Sequence, residues 1–279
     1  AVLAAAGGAQ IIIADDASGD DSVSFLRQAY PDIIVVEHTS QLGFAGNVNS
    51  GVTAASVDIV VLLNTDVRPE KNFLPPLLAH FDDVSVFAVG CLEKSYESGG
   101  IVLRGRGVAR WEKGFFIHAR GEVDRSDTAW VSGGSGAYRR SLWNELGGMD
   151  LLYNPFYWED IDMSYQAQKS GYRILFERKS IVGHFHEEGK IKTAYTAKQV
   201  KQIVYRNQFM FLWKNISNPT LLAAHICWTP VRLIQAMLSF NVLMIFGYLA
   251  ACMRLPHIYR SRISASRFWR KDDLTIFSA

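Results

Sequence analysis

Two short polar segments in this sequence have the side-chain types that hold phosphate groups and transfer protons. The first, Asn64-Thr65-Asp66, follows five consecutive apolar residues, 59–63. An amide oxygen and a carboxylate two positions apart, where a buried strand ends and the backbone turns, can converge on a divalent cation and its bridged phosphate oxygens. The same residues are also ordinary turn chemistry, so a binding role depends on what the rest of the sequence provides.

The second segment has three carboxylates within four residues at the predicted start of a helix, namely Glu159, Asp160 and Asp162. Acids in a first turn complement the helix dipole without contacting a substrate, and this explanation suffices for one or two of them. It explains three acids less well, because an aromatic segment precedes them. That apolar wall would raise a carboxylate pKa and stack on a sugar ring. Its members are Tyr153, Phe156, Tyr157 and Trp158.

A third segment, residues 183–188, contains His184 and His186 after a β-branched pair and before two glutamates. A lone histidine is more often structural than a ligand. In a chain that already offers an acid pair, however, either histidine is a candidate metal ligand.

Alternating apolar runs and amphipathic stretches predict the elements that position these segments. Residues 11–14, 33–37 and 58–63 have the pattern of strands, and residues 22–29 and 45–55 have that of helices. This order predicts an α/β fold with a mainly parallel sheet flanked by helices on both faces. Ligands of such sheets bind at the carboxyl ends of the strands, where both acidic clusters of this half of the chain stand.

The second half of the chain divides into three parts. Residues 90–125 predict irregular strands and loops, and order returns with residues 130–139, a short helix, a turn at Gly147-Gly148 and a helix starting near Trp158. After Lys190 the composition changes to helical segments rich in aromatic and aliphatic residues. We therefore predict a catalytic domain over residues 1–190 and a C-terminal helical region over residues 191–279.

The composition limits the classes of function. The chain has 279 residues, 49% apolar and 20% charged, which suits one large domain with an appendage. Its net charge of +2 does not support a nucleic-acid partner. The three cysteines, Cys91, Cys227 and Cys252, are far apart and indicate neither a disulfide framework nor a zinc site. Residues 1–10 do not resemble a signal peptide, and the abrupt start predicts an N-terminal truncation.

The C-terminal region has the composition of a membrane-associating segment. Residues 233–253 have no formal charge over 21 positions, close to the ~20 residues that cross a bilayer as a helix. Six basic residues follow before the next acid, which suits an anionic membrane surface. They are Arg254, Arg260, Arg262, Arg267, Arg270 and Lys271. A spanning helix, a helix lying in the membrane plane and a helix packed on the catalytic domain are the alternatives.

Taken together, these segments resemble the inverting glycosyltransferases of family 2, which have the GT-A fold, and their rhamnosyltransferase-like members in particular. The resemblance spans roughly residues 11–214. The matching segments are residues 12–22, 42–49, 62–66, 133–140, 147–150, 158–162 and 171–173, followed by His184. Their number and their order make the resemblance specific.

The resemblance implies a reaction and a set of site residues. It implies transfer of a sugar from a nucleoside diphosphate sugar to a hydroxyl of a glycan or lipid-linked acceptor, in cell-surface polysaccharide synthesis at the cytoplasmic face of the inner or plasma membrane. Asp160 would be the base, and Glu159 would orient the acceptor. Asn64, Asp66 and His184 would hold Mn²⁺ or Mg²⁺. The implied donor-binding residues are Asp15, Asp16, Ser18, Asn47, Asn49, Asn64 and Asp66, and the acceptor-side residues are Gly134, Ser135, Tyr157 and Trp158.

Departures from the family pattern give further expectations. An opening strand with a Pro-x-Tyr-Asn-like element is absent, so part of the sheet and donor site is expected to be missing from this chain. Gln41 and Gln166 stand where the family has Asn and Arg. Asn64 replaces the first acid of the metal motif, which predicts weaker metal binding. A nucleotidyltransferase and a catalytically inactive sugar-nucleotide-binding domain are the alternative functions.

Overall fold

A computed structural model describes residues 1–97, 99–185 and 194–277 of the chain. The first half comprises α1 (Val2–Ala5), β1 (Ile12–Asp15), α2 (Ser22–Ala29), β2 (Ile34–Glu37), α3 (Gly43–Ala54), β3 (Ile59–Leu63), β4 (Val67–Pro69), α4 (Leu74–Leu78), β5 (Val86–Glu97), β6 (Gly100–Arg104), β7 (Gly107–Glu112), β8 (Phe115–Arg120) and β9 (Ser135–Arg139). The second half comprises α5 (Arg140–Leu146), α6 (Glu159–Lys169), β10 (Arg173–His184), α7 (Ala197–Asn215), α8 (Pro219–Leu238), α9 (Val242–Cys252), α10 (Leu255–Ser266) and α11 (Asp273–Phe277). The predicted order of strands and helices over residues 11–63 is confirmed.

The central sheet is mixed rather than mainly parallel. Its main path has the strand order β3-β9-β5-β10-β4, with β6 paired to β5. The β5–β10 pair is parallel, whereas β9 is antiparallel to both β3 and β5 and β4 is antiparallel to β10. The parallel pair β1–β2 forms a separate small sheet. The prediction failed in this detail because β9 comes late in the chain and inserts between β3 and β5.

Residues 90–125 form regular hairpins, so the prediction of irregular strands and loops was wrong here. Strand β5 extends to Glu97 and pairs with β6, and β7 pairs with β8. The glycines that weakened the strand pattern lie at the turns between these strands. Gly100, Gly105 and Gly114 have φ values of +121°, +111° and +75°, which favour glycine.

The C-terminal helices pack on the catalytic part of the chain through buried ion pairs. Lys169, at the end of α6, forms a 2.8 Å ion pair with Asp273 of α11, and both side chains are fully buried. Lys214 of α7 contacts Asp150 at 2.7 Å and Asp162 at 2.6 Å. A buried charge is tolerated when it is paired and hydrogen-bonded, so these pairs fix α7 and α11 against α6.

The uncharged run of residues 233–253 is not one helix. Helix α8 ends at Leu238 and α9 begins at Val242, and between them Phe240 has a left-handed φ of 55°. Among the described residues, α8 is the one helix long and apolar enough to cross a membrane, and α9 with α10 passes the same test only as a pair bent by 67°. A membrane-spanning helix over residues 233–253 is therefore excluded.

Candidate active site

The first predicted cluster forms a hydrogen-bonded chain of three side chains at the edge of the central sheet. The antiparallel β4–β10 pairing aligns His184 with Val67 and so brings the imidazole beside Asp66. His184 Nε2 lies 3.2 Å from Asp66 Oδ2, and Nδ1 lies 2.7 Å from Glu93 Oε1. Burial disfavours the charged imidazole, but the hydrogen bond and charge of Glu93, together with Asp66, raise the pKa of His184.

These three side chains have the chemistry of a cation site. A metal-binding histidine usually donates its second ring N–H to a carboxylate, which fixes the tautomer, and Glu93 is placed to accept it. Mg²⁺ is typically held by one or two protein ligands together with substrate phosphates. In the described part of the chain no group of three or more His, Cys, Asp or Glu residues forms a metal site by itself. Asp66 and His184 are the two residues of this cluster that could hold a cation.

The loop before β9 joins this cluster to the acid pair. The Asn64 N–H donates to the Gly134 carbonyl at 2.9 Å, and a Cβ added to Gly134 would lie 2.6 Å from Asn64 Nδ2. The adjacent residue, Gly133, donates its N–H to Asp160 Oδ2 at 3.3 Å. Gly133 and Gly134 are neighbours, and neighbouring Cα atoms are about 3.8 Å apart. Because one contacts Asp160 and the other contacts Asn64, the loop holds these two residues on either side of one site.

Burial gives the two acids of this site unusual pKa values. Burial, together with the charge of Asp160, raises the pKa of Glu159 to about 8. Burial also raises the pKa of Asp160, although N–H groups of Gly133 and Ile161 donate to its two oxygens and oppose the shift. Glu159 Oε2 is buried and has no hydrogen-bond partner among the described residues. The surroundings thus favour the protonated form of Glu159, and the two N–H donors oppose protonation of Asp160.

The third acid of the cluster has a structural environment. Asp162 is 2% exposed and accepts from the Tyr153 hydroxyl at 2.8 Å, from Asn215 Nδ2 at 2.6 Å and from Lys214. Burial raises the pKa of Asp162 in spite of the attraction of Lys214. Asp162 therefore anchors helix α6, and the helix presents Glu159 and Asp160 to the site.

The two aromatic residues before the acids differ in accessibility. Tyr157 is 41% exposed, whereas Trp158 is 3% exposed and its ring packs against Phe116, His118 and Phe211. Only Tyr157 offers a ring face to a sugar. Both residues have left-handed backbones, with φ values of 69° and 81°. Such residues cost about 1–3 kcal/mol each and cluster at functional sites.

The β1–α2 loop contacts the start of α3, which in turn contacts the loop before α6. Asp16 accepts from the N–H groups of Leu42 and Gly43 at 2.6 and 3.1 Å, so it caps the start of α3. Asp15 accepts from the Ser18 N–H at 2.9 Å and closes the loop. These bonds shape the predicted donor side, and contacts of these three residues with a nucleotide stay a prediction.

The two asparagines of α3 have different surroundings. Asn47 Nδ2 donates to the Ala14 carbonyl at 3.0 Å, and its buried Oδ1 has no partner in the described residues. Asn49 donates to the Met149 carbonyl at 2.8 Å and accepts from the Met149 N–H at 2.9 Å. Both ends of the Asn49 amide bond the Met149 backbone, so the residue ties α3 to the loop before α6, and its predicted contact with the donor stays a prediction.

Of the remaining predicted residues, Gly134 and Ser135 are described by the structure and residues 186–188 are not. Gly134 lies against Asn64, and Ser135 is buried with an Oγ that has no partner within the described ranges. His186, Glu187 and Glu188 lie outside the described residues.

Two residues that contact the site or its supporting loop were missed from sequence. Glu93 is an acid within the otherwise apolar buried run of β5, and this pattern could have identified it from the sequence. No sequence pattern distinguishes Asn207 of α7.

The α/β fold thus carries a strand-end acid and histidine in one hydrogen-bonded chain, and a buried acid pair at the start of helix α6. Residues 2–147, just over half of the chain, match the family described as Glycosyl transferase family 2, and the chain belongs to that family. The acid pair lies beyond the matched residues.

Relatives and solved structures agree with this assignment. The chain is 29% identical over 192 residues to the pre-mycofactocin glycosyltransferase of Mycobacterium tuberculosis, covering 64% of this chain and 38% of that protein. It is 28% identical over 182 residues to the O-antigen chain rhamnosyltransferase WbaN of Salmonella anatum, covering 63% and 56% respectively. The chain thus spans only part of these relatives.

The fold is similar to that of a solved GT-A glycosyltransferase. The structure of GalNAc-T7 with UDP, GalNAc and Mn²⁺ superposes with a TM-score of 0.58 at 16% identity, covering 74% of this chain and 42% of that one. The predicted α/β GT-A-like fold with a C-terminal helical extension is thereby confirmed.

Proposed function

We propose that this chain transfers a hexosyl or rhamnosyl group with inversion, from a nucleoside diphosphate sugar to a hydroxyl of a glycan or lipid-linked acceptor. The observation that carries the proposal is the buried acid pair Glu159-Asp160, which begins helix α6 beside the loop that contacts Asn64. In the proposed state Asp160 is ionised, and Glu159, whose pKa is raised to about 8, is protonated. Family membership supports sugar transfer, and the similarity to a rhamnosyltransferase supports the class of sugar.

In the proposed reaction Asp160 is the general base. The acceptor oxygen forms a bond to the anomeric carbon while its proton passes to an Asp160 oxygen. The bond from that carbon to the diphosphate breaks on the opposite face, and the diphosphate leaves with the electron pair. A positioned base of this kind contributes roughly 10²–10⁴-fold to the rate. Glu159, which retains its proton, donates a hydrogen bond that orients the acceptor.

The donor side needs charge neutralisation. Asp66 and His184, with the neutral oxygen of Asn64, would hold Mn²⁺ or Mg²⁺, and the ion when bound supplies Lewis-acid stabilisation of the leaving diphosphate. Glu93 keeps Nδ1 of His184 protonated, so that Nε2 is the ring nitrogen directed toward Asp66. Asn47 supplies an unpaired buried oxygen on the nucleotide side.

The C-terminal helices support an acceptor at the cytoplasmic face of a membrane, in surface-polysaccharide synthesis. The end of α8 and the start of α9 expose large apolar side chains, and no membrane-spanning helix is needed to use them. Met237, Leu238 and Phe240 are 64%, 77% and 87% exposed, and Met253, just after α9, is 76% exposed. Basic residues follow directly, which suits attraction to anionic lipids.

The test is a donor screen by mass spectrometry on the full chain, with a pair of variants that change adjacent carboxylates. We expect Asp160→Asn to lower kcat by about 10²–10⁴-fold with donor affinity within a few-fold of the parent. Glu159→Gln should keep kcat within about tenfold, because a neutral amide resembles the protonated acid at neutral pH. Near-parental turnover by Asp160→Asn would remove Asp160 from the mechanism. Failure of every nucleotide sugar to react would reject sugar transfer.

A further inference from the structure

Every backbone carbonyl in the loop that leads to the acid pair has a defined partner. The Pro155 carbonyl accepts from the N–H of Phe44, at the start of α3, at 3.0 Å. The carbonyls of the other loop residues from 153 to 157 accept from two adjacent side chains of α7, Arg206 and Asn207. Buried carbonyls need partners, so these two side chains determine which loop backbone is stable.

Asn207 makes most of these contacts. Its Nδ2 lies 3.0 Å from the Tyr153 oxygen, 3.0 Å from the Phe156 oxygen and 2.7 Å from the Tyr157 oxygen. The two amide hydrogens are shared among these three acceptors. At the other end, Oδ1 accepts from Arg206 Nε at 2.8 Å, which fixes the orientation of the amide. Asn207 is fully buried, so its hydrogen-bonding capacity is directed to the loop.

The geometry points to Asn207 as a positioning residue for Glu159 and Asp160. Left-handed backbones at Tyr157 and Trp158 turn the chain into helix α6 and so set the direction in which the two acids leave the loop. Residues with side chains adopt this conformation only when their surroundings enforce it. Asn207 holds the carbonyls of Phe156 and Tyr157, the two peptide groups that flank Tyr157.

The role assigned to Asn207 is indirect, since the buried amide acts on the acids only through the loop backbone. Its effect on the rate rests on the proposed sugar transfer, but its effect on the loop does not. A displacement of about 1 Å at a reacting group can cost on the order of 10²-fold in rate. Loss of the amide donors should therefore reduce kcat more than it changes the donor KM, because the bond from Phe44 to the Pro155 carbonyl does not involve Asn207.

The experiment compares two neighbouring amides of the same helix. Asn207→Leu removes the donors to the loop, and Gln208→Leu removes a comparable bond, from Gln208 Nε2 to the Phe116 carbonyl at 3.1 Å. We expect Asn207→Leu to lower kcat by about 10–100-fold with the donor KM within about threefold. Gln208→Leu should keep both constants within about threefold. Asn207→Asp has the same size but carries no N–H donors, so it should lower kcat as Asn207→Leu does. It replaces the leucine variant in the experiment if that variant does not fold.

A second measurement is independent of the donor. Amide hydrogen exchange of the full-length variants, read over residues 153–163, should be at least tenfold faster in the Asn207 variants than in Gln208→Leu. Suppose that exchange is faster in the Asn207 variants but neither the parent nor the variants transfer any sugar. This result would reject the proposed function and retain the effect of Asn207 on the loop backbone. Equal exchange and equal kcat in the Asn207 and Gln208 variants would overturn the positioning role.

Discussion

Glu159 and Asp160 are adjacent in the chain, but their carboxyl groups have different surroundings. Two backbone N–H groups donate to the Asp160 oxygens, whereas one Glu159 oxygen is buried without a partner among the described residues. A carboxylate that accepts N–H bonds is stabilised as the anion, and an unpaired buried one is stabilised as the acid. The surroundings of single atoms thus favour the charged form of Asp160 more than that of Glu159.

The raised pKa of Glu159 predicts a pH-dependent stability. Because the pKa is near 4.5 in an ordinary environment and about 8 here, the folded protein binds a proton that the unfolded chain releases between these values. The parent should therefore lose stability as the pH rises from about 4.5 to about 8, whereas Glu159→Gln should not lose this contribution. Across that window the free energy of unfolding of the variant should rise relative to the parent by roughly 2–5 kcal/mol.

Urea unfolding at a series of pH values measures this difference. Glu122→Gln, at an exposed position, controls for the loss of a carboxylate. A difference between Glu159→Gln and the parent that does not change between pH 4.5 and pH 8 would show that Glu159 titrates normally.

The second residue-scale prediction concerns Glu93, which contacts Nδ1 of His184. Removing a carboxylate that orients a metal-binding histidine typically costs 10–100-fold in metal affinity. We expect Glu93→Gln to raise the Mn²⁺ concentration for half-maximal activity by about that factor, and Asp66→Ala and His184→Ala to raise it further. Glu70→Gln, which removes the partner of Lys94 at the surface, is the control. Full activity of the parent in excess EDTA would contradict the cation requirement.

At the scale of elements, helix α3 and the loop before α6 are held together by Asn49. Its amide makes two hydrogen bonds to the Met149 backbone, and Gly148 approaches so closely that an added Cβ would lie 2.5 Å from Asn49 Oδ1. Gly148 also has a left-handed φ of 74°. The glycine and the asparagine therefore form one joint between two elements.

We expect substitutions of the two asparagines of α3 to affect different quantities, the free energy of unfolding and the affinity for nucleotide. Asn49→Ala should lower the free energy of unfolding by about 1–3 kcal/mol, because it leaves the Met149 backbone groups unpaired, with affinity for UDP or GDP within about twofold. Asn47→Ala should mainly weaken nucleotide binding, because its Oδ1 has no protein partner among the described residues. Calorimetric titration and thermal unfolding of both variants measure these quantities. Loss of nucleotide binding by Asn49→Ala alone would assign the donor contact to Asn49 instead of Asn47.

The sequence predicted the positions of helices and strands better than it predicted which strands pair and which distant residues contact each other. The helix over residues 45–55 and the strand over residues 58–63 follow from local patterns, and they lie within one residue or two of α3 and β3. Strand pairing is non-local, so nothing near β9 indicated that it lies between β3 and β5. Likewise, Asn207 is recognisable only through carbonyls that stand about fifty residues earlier. Clusters close in sequence, such as Glu159 and Asp160, were predictable because one helix start carries both.

At the scale of the whole molecule, the C-terminal helices are part of the catalytic fold. Arg262 of α10 donates to the carbonyls of Trp213, Lys214 and Ile216, so it is not part of a free basic surface. Removing Asp273 would leave Lys169 buried without its partner, which typically costs about 3–5 kcal/mol. A truncation after Asn218 would therefore damage the fold, and point substitutions are the appropriate test of membrane attachment.

The final prediction is that the α8–α9 turn inserts into the surface of an anionic bilayer. Helix α9, with 11 residues, is about 16 Å long, which is too short for the ~30 Å hydrocarbon core. The first part of α8 is fixed to the catalytic domain by His225, which bonds Trp213 and the Gly114 carbonyl. The turn exposes Met237 and Phe240, and an interfacial mode combines this apolar area with the basic residues that follow.

Flotation with liposomes tests this mode with two double variants that add equal charge. Met237→Asp/Phe240→Asp changes the turn, and Ile101→Asp/Leu103→Asp changes exposed apolar residues of β6. Burying each large apolar side chain contributes roughly 1.5–3 kcal/mol, so the turn variant should bind anionic vesicles at least about tenfold more weakly than the parent. The β6 variant should float as the parent does, and high salt should weaken attachment of both because the basic residues contribute through charge. Equal flotation of the two variants would exclude the turn as the membrane contact, and an acceptor in solution would then fit the exposed site better.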